Sequence, residues 1–275
     1  MTGAMAATGS AKGGTLTGGC LTDWPEEIEQ RVDIAGDQPV ESGGVPDSGD
    51  LVLYVHGLFS QDILDSININ GANQATALRQ ALAAEYADRP GTPPQVVATM
   101  WNSTTTWTAA KWRADDAGET LAAWLDANAE TYDSLTIVAH SLGARVTLTA
   151  LTEVTEATVD SVALLGGAVD PETVCNEYKT GIESNVDGGV FNYHSGDDTI
   201  VCNIYALREW TSAVGCDGKD CSGGWFSSGT EPPENYTGVD VTGQVLGHCY
   251  YYRPGTEEFD GDNCVGDIVE NQLES

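Results

Sequence analysis

The sequence predicts a single α/β domain whose core is a doubly wound, mostly parallel sheet. Short apolar runs, typical of strands buried on both faces, alternate with longer segments whose apolar residues recur at helical spacing. A chain of 275 residues is also long enough to bury one full core. The strands are predicted near residues 51–56, 95–101, 134–139, 159–165 and 188–194, and the helices near residues 72–87, 106–129, 142–153, 171–179 and 200–213.

The first predicted strand leads into a His-Gly dipeptide. The run from Asp50 to Val55 is almost wholly apolar and ends in His56-Gly57-Leu58. A glycine at this point allows the backbone to turn its amides towards a ligand. An alternative interpretation of His56 is a loop histidine whose ring forms hydrogen bonds with backbone groups.

The third predicted strand leads into a serine on a sharp turn. The run from Leu135 to Ala139 predicts a buried strand and a helix follows it, so Ser141 lies on the turn between them. Ala139 and Gly143 are small at the two positions where a side chain would collide with such a turn. The N–H of Leu142 opens the helix, whose dipole favours negative charge, and this predicts one half of an oxyanion hole.

In their order, these pieces resemble the α/β-hydrolase family over about Leu51 to Tyr252, although Ala139 stands where the family more often has glycine. The resemblance implies a mostly parallel sheet of the α/β-hydrolase type. It implies that the amide of Leu58, which follows the His-Gly dipeptide, is the second oxyanion donor. It also implies that an acid and then a histidine follow Ser141 and complete a Ser-His-Asp triad.

Two adjacent carboxylates follow the last predicted strand. Asp197 and Asp198 lie in a turn that continues into Ile200 and Val201. The spacing of Asp198 to these aliphatic residues resembles the acid loop of the α/β-hydrolases. Asp198 is therefore the preferred triad acid and Asp197 the alternative, while two acids in a glycine-containing turn are also common surface chemistry.

The triad base is predicted from its position in the chain. His248 is the histidine that follows the acid loop, so both elimination and the resemblance select it. His140 directly precedes Ser141 and is expected to point away from it, and His194 comes before the acids. Packing against the sheet or a loop explains these two histidines better.

The charge of the chain is strongly negative. Its 42 Asp and Glu residues against 11 Lys and Arg residues give a formal net charge of −31, and they are spread along the sequence. This composition predicts an acidic surface of halophilic type, because high salt screens the self-repulsion. It argues against nucleic-acid binding, which needs clusters of Lys or Arg, and against docking on anionic lipid. No apolar stretch predicts a transmembrane segment.

Six of the seven cysteines lie in the second half of the chain, which favours disulfides and a secreted or cell-surface location. Cys216 with Cys221 is the expected local bridge, and Cys249 with Cys264 is a second expected pair. A bridge at Cys249 would pin the loop that carries His248. A zinc site built from these four cysteines would need long and irregular spacings, so no metal is expected.

Residues 1–30 are predicted to form a flexible leader, because the first twenty are rich in Gly, Ala, Thr and Ser. Residues 31–275 are predicted to form the single domain. The segment 212–247 is too long for a plain connection and is predicted to be an insertion that covers the serine as a lid or rim. It includes Trp225 and Phe226.

Three tryptophans follow the second predicted strand, at the edge of the sheet where open α/β folds bind ligands. Trp101 and Trp107 are predicted either to line an acyl pocket or to anchor a helix. Trp112 is predicted to anchor the helix to the core.

Together these residues predict a serine hydrolase that cleaves carboxylic esters, an esterase or lipase-like enzyme, through an acyl-enzyme. Ser141 is the nucleophile, His248 is the base, Asp198 orients it, and the amides of Leu58 and Leu142 hold the oxyanion. The partner is a small-molecule or lipid ester, and no metal or organic cofactor is needed. The alternatives are a non-catalytic cell-surface binding protein on the same fold, or a thioesterase or amidase with the same triad.

Overall fold

The fold is built on one eight-stranded sheet. The computed structural model describes residues 24–58, 70–103, 105–222, 229–253 and 263–274. The strands are β1 (Arg31–Asp33), β2 (Val40–Ser42), β3 (Asp50–Val55), β4 (Gln95–Met100), β5 (Ser134–His140), β6 (Ser161–Leu165), β7 (Val190–His194) and β8 (Tyr236–Asp240). The α-helices of the described residues are α1 (Gly71–Glu85), α2 (Trp107–Asn128), α3 (Gly143–Glu153), α4 (Lys179–Asn185), α5 (Ala206–Glu209), α6 (Val214–Asp217) and α7 (Val265–Ile268).

The strands lie side by side in the order β2-β1-β4-β3-β5-β6-β7-β8. All neighbours are parallel except β1 and β2 at one edge. Val55 at the end of β3 pairs with Thr99 in β4 and with Ala139 in β5, so the carboxyl ends of these strands meet at one edge of the sheet. Ligands bind at this edge in open α/β folds.

The side chains of β3 alternate between two apolar cores, one on each face of the sheet. Leu51, Leu53 and Val55 are buried in the core that contains α2 and α3. Val52 and Tyr54 are buried in the core that contains α1 and α7. Because successive side chains of a strand point to opposite faces, a strand covered on both faces must be apolar throughout. The predicted fold class, a doubly wound and mostly parallel sheet of the α/β-hydrolase type, is confirmed.

Three strands are additional to the five predicted ones. β1 and β2 have three residues each, and β2 is exposed at all of them, so neither has an apolar run. β8 is the last strand of the sheet, and Tyr236 is its one buried residue. Since β8 lies inside the segment 212–247, part of the predicted insertion belongs to the sheet itself.

Two helix predictions are wrong in their bounds. The region 171–179 contains a 3₁₀ turn at Thr173–Cys175, and α4 begins only at Lys179, because Asn176 leaves the helical conformation. The region 200–213 contains a π-helical turn at Ile200–Tyr205 and the short α5, which ends where Trp210 has a left-handed φ of 61°.

Both predicted cysteine pairings are wrong. The structure has the disulfides Cys175–Cys221 and Cys202–Cys216. α6 packs against β7 and so carries Cys216 to the turn that contains Cys202, with 5.1 Å between their Cα atoms. Cys249 is disulfide-bonded as well, although not to Cys264, whose Sγ donates to the carbonyl oxygen of Tyr251 at 3.2 Å.

Within the described ranges, no helix has both the length and the apolarity that crossing a membrane requires. Residues 1–23 of the predicted leader lie outside the described residues, as do Trp225 and Phe226. The prediction of a flexible leader is wrong for the part around Ile28, because this residue is buried in the core that contains α1 and α7.

Candidate active site

Ser141 occupies a strained turn at the carboxyl end of β5. Its φ of 57° lies in the left-handed region, which non-glycine residues rarely adopt. The turn is held on both sides, because the Ser141 N–H donates to the carbonyl of Leu165 and its own carbonyl accepts from the N–H of Ala168, each at 3.0 Å. Backbone strain of this kind is typical of a functional residue. Ser141 retains 9% of its surface exposed.

Two glycines leave the space that the turn needs. A Cβ atom at Gly143 would lie 2.3 Å from the carbonyl oxygen of Val55, because the start of α3 packs directly on the end of β3. A Cβ atom at Gly57 would lie 2.5 Å from Cβ and 3.0 Å from Oγ of Ser141. The His-Gly dipeptide predicted from the sequence therefore lies against the serine.

His56 is buried and holds the backbone of this dipeptide. Its Nδ1 lies 2.8 Å from the carbonyl oxygen of Gly57, and its Nε2 lies 3.3 Å from the backbone nitrogen of Trp101. The carbonyl can only accept and the N–H can only donate, so His56 is neutral with its hydrogen on Nδ1. Burial lowers the pKa of His56 to about 4, which keeps this neutral form at physiological pH.

The bond from His56 also sets the direction of the next amide. In a trans peptide the carbonyl of Gly57 and the N–H of Leu58 point in opposite directions. Because His56 fixes the Gly57 carbonyl, it also fixes the Leu58 N–H. The Leu142 N–H is oriented differently, by the first turn of α3, where the leading amides have no partner inside the helix.

Asp198 and His248 are in direct contact inside the protein. His248 Nδ1 lies 2.7 Å from Asp198 Oδ2, and Asp198 is fully buried. Asp198 Oδ1 accepts from the backbone N–H groups of Ile200 and Val201, each at 3.1 Å. A third side chain, Tyr251, donates its hydroxyl hydrogen to Oδ2 at 3.2 Å. An ionised carboxylate accepts only, so four donors around Asp198 match its charged form.

Asp197 takes a different position from Asp198. Its Oδ2 accepts from the backbone N–H of Gly243 at 2.9 Å, at an exposed part of the turn. Of the two carboxylates left open by the sequence, only Asp198 is bonded to His248 in the described residues.

His140 links the histidine loop to the serine turn. Its Nε2 lies 2.6 Å from the carbonyl oxygen of His248, and the centroids of the two imidazole rings are 4.5 Å apart. Burial, together with the nearby His248, holds the pKa of His140 well below 6.5, so this ring is neutral and donates from Nε2. Since His140 precedes Ser141 directly, the contact places His248 beside the serine turn. The described residues contain no hydrogen bond between Ser141 Oγ and His248, and such bonds often tighten only when a substrate binds.

The sequence predicts that His140 packs against the sheet or a loop, and it does pack against the loop of His248. The sequence analysis does not predict the contact between Tyr251 and Asp198. Tyr251 belongs to the aromatic run Tyr250-Tyr251-Tyr252, in which no pattern marks the residue that touches a carboxylate.

The tryptophans at the edge of the sheet have three different environments. Trp101 is buried and stacks on His56, with ring centroids 5.4 Å apart. Trp107 packs edge-on against Tyr205 and donates from Nε1 to Glu209. The prediction for Trp112 is wrong, because this residue is 69% exposed and lies on the solvent side of α2.

The two buried neutral histidines predict a loss of stability in mild acid. The pKa of His56 is about 4 in the folded chain and 6.5 when unperturbed, so the unfolded chain binds the proton first as the pH falls. Stability contributed by neutral His56 is therefore present above pH 6.5 and is lost towards pH 4. Between pH 7 and pH 5 this amounts to about 2 kcal/mol for His56 alone, and His140 acts in the same direction.

The free energy of unfolding, measured in urea in molar KCl between pH 7 and pH 5, tests this prediction. The slope of this free energy against pH gives the number of protons that the chain takes up on unfolding. We expect more than one proton in the intact chain and fewer in His56→Gln, whose side chain does not titrate. An unfolding free energy that is the same at both ends of this range would contradict it.

The chain is similar in structure to several solved enzymes. An esterase from Pyrobaculum calidifontis is 14% identical, with a TM-score of 0.46 over 90% of this chain and 85% of that one. A metagenome-derived lipolytic enzyme is 12% identical, with a TM-score of 0.43 over 92% and 98%. An esterase from Pyrococcus furiosus is 12% identical, with a TM-score of 0.41 over 82% and 83%.

No curated protein sequence matches the chain. A family model does match residues 66–256, a range that contains Ser141, Asp198 and His248. The chain therefore belongs to the family described as "Protein of unknown function (DUF726)".

Proposed function

We propose that this protein is a serine hydrolase that cleaves carboxylic esters through an acyl-enzyme, in the manner of an esterase or lipase. The observation that carries the proposal is the buried 2.7 Å contact between His248 and Asp198 beside the strained turn of Ser141. A serine hydroxyl is hardly ionised at neutral pH and needs a base held in one orientation. The Asp198–His248 pair supplies such a base.

In the proposed reaction, Ser141 Oγ attacks the ester carbonyl and His248 Nε2 takes the hydroxyl proton. Asp198 holds the hydrogen on Nδ1, so that Nε2 is free to accept, and stabilises the imidazolium that forms. The tetrahedral intermediate expels the alcohol, which receives the proton from His248. Water then attacks the acyl-enzyme by the same sequence, releasing the acid and restoring Ser141.

The proposed oxyanion donors are the amides of Leu58 and Leu142. The Leu142 N–H stands at the N-terminus of α3, where the helix dipole favours negative charge. The Leu58 N–H is held by the bond between His56 and Gly57, and Gly57 lies against Ser141. Donors fixed before the reaction stabilise the developing charge without the cost of reorganising them.

We further propose that the described part of the segment 212–247 forms a rim beside this site. The N–H of Val214 donates to the carbonyl of Val169 at 2.9 Å, just beyond the end of β6. A Cβ atom at Gly215 would lie 2.2 Å from the carbonyl carbon of Gly166, so the segment packs tightly on the loop next to Asp198. This position supports a role in shaping access to the serine.

Labelling with a fluorophosphonate probe in molar KCl tests the proposed function. We expect stoichiometric labelling of the intact chain, none of Ser141→Ala, and labelling at least about 100-fold slower in His248→Ala. Ser184→Ala is the matched control, since this serine is exposed on α4, and it should label like the intact chain.

Failure of a folded intact chain to label would favour the non-catalytic binding protein. If the chain does label, hydrolysis of a matched set of oxyesters, thioesters and amides separates the proposed esterase from a thioesterase or amidase, because the triad itself fixes only acyl transfer. A clear preference for thioesters or amides would overturn the ester assignment while keeping the triad.

A further inference from the structure

Tyr251 contacts the same carboxylate oxygen as His248. Its hydroxyl donates to Asp198 Oδ2 at 3.2 Å, and His248 Nδ1 lies 2.7 Å from that oxygen. The ring of Tyr251 is fully buried, so water does not compete for this bond. The local backbone leaves room for it, because a Cβ atom at Gly166 would lie 2.8 Å from the Tyr251 ring and 2.9 Å from Asp198 Oδ2.

We propose that Tyr251 is a positioning residue, whose hydroxyl fixes the Asp198 carboxylate and reduces the negative charge that it presents to His248. This inference rests on the proposed function, because it assigns Tyr251 a part in setting the strength of the base. A carboxylate that accepts a second hydrogen bond on one oxygen attracts a proton on its other partner less strongly. Without the hydroxyl of Tyr251, Asp198 would attract the Nδ1 hydrogen of His248 more strongly.

The hydroxyl of Tyr251 stays protonated under all relevant conditions. Burial raises the pKa of Tyr251 well above 10, and the negative charge of Asp198 raises it further. Tyr251 therefore donates to Asp198 and does not compete with it for a proton.

Other titratable groups also face this arrangement. His140 lies 4.5 Å from His248 and 6.3 Å from Tyr251 between ring centroids, and burial keeps it neutral. The thiol of Cys264 donates to the backbone carbonyl of Tyr251. Asp197 is on the same turn as Asp198 but accepts from Gly243. None of these groups replaces the hydroxyl of Tyr251 at Asp198 Oδ2.

Replacement of Tyr251 by Phe removes the hydroxyl and keeps the ring. We expect the pKa of His248, measured by NMR titration with labelled histidine, to rise by about 0.5 to 1 unit. The acidic limb of kcat/KM should move to higher pH by the same amount, and kcat should fall about 3- to 10-fold with little change in KM.

Tyr252→Phe is the matched control. Tyr252 is the next residue and is equally buried, but its ring contacts Tyr54, Trp24 and His140. The Tyr252→Phe substitution should leave both the pKa of His248 and the pH profile of kcat/KM unchanged. Equal losses of melting temperature in the two variants, with no movement of the His248 pKa in either, would overturn the proposal and leave Tyr251 a packing residue.

A second measurement uses the unaltered chain. Because Tyr251 and His248 share one oxygen of Asp198, the NMR resonances of the Tyr251 ring should shift as His248 titrates, and their insensitivity would also overturn the proposal. Full activity of Ser141→Ala would refute the proposed function. Because both NMR measurements are independent of turnover, they would still decide whether Tyr251 modulates the Asp198–His248 pair.

Discussion

Replacement of Asp198 by Asn is expected to lower kcat for ester hydrolysis by about four orders of magnitude. The amide can keep its oxygen towards the N–H groups of Ile200 and Val201, which places its NH₂ group where Oδ2 now faces His248. An NH₂ group donates, so Nδ1 must accept and the imidazole hydrogen moves to Nε2. The ring can then no longer take the proton of Ser141.

Asp197→Asn is the matched control for this prediction. It makes the same chemical change one residue away, at a carboxylate that bonds to the backbone of Gly243 and not to His248. We expect its kcat to stay within about twofold of the intact chain, since surface substitutions rarely have large effects. Steady-state kinetics in molar KCl, with circular dichroism to verify folding, measure both variants. A large loss in Asp197→Asn with none in Asp198→Asn would reverse the assignment of the acid.

The parts of the candidate site that were predictable are those with a local cause. The turn of Ser141 follows from an apolar strand, a helix and small neighbours, all within a few residues. The spacing to Ile200 and Val201 favours Asp198 in the sequence, but the alternative Asp197 is separated from it only by the fold, which brings Asp198 to His248 and Asp197 to the backbone of Gly243. The contacts of His140 and Tyr251 with this pair depend on how the last loop returns over the sheet.

The same distinction holds for the fold. Strands β3 and β5 are buried on both faces and so have continuous apolar runs, which made them visible in the sequence. β2 and β8 lie at the two edges of the sheet and are mostly exposed, so hydrogen bonding to a neighbouring strand defines them and hydrophobicity does not. The disulfide pairs likewise depend on which elements meet in space.

The second large effect is expected at Gly57. A methyl group there would lie 2.5 Å from Ser141 Cβ and 3.0 Å from Oγ, closer than packed atoms allow. The strained serine turn and the loop after β3 must therefore move apart, which displaces the Leu58 N–H from the position of the developing oxyanion. We expect Gly57→Ala to lower kcat/KM for ester hydrolysis, and the rate of fluorophosphonate labelling, by about 100- to 1000-fold.

Gly36→Ala separates this effect from the general cost of replacing a glycine. A Cβ atom at Gly36 would meet no atom of the described residues within 4 Å, and its backbone is not left-handed. This control should keep full activity.

A loss of stability in Gly57→Ala of about 1 to 3 kcal/mol fits the same clash and leaves most of the chain folded at 25 °C in molar KCl. If folded Gly57→Ala labels as fast as the intact chain, the loop after β3 does not form the oxyanion site, and the second donor must come from elsewhere than Leu58.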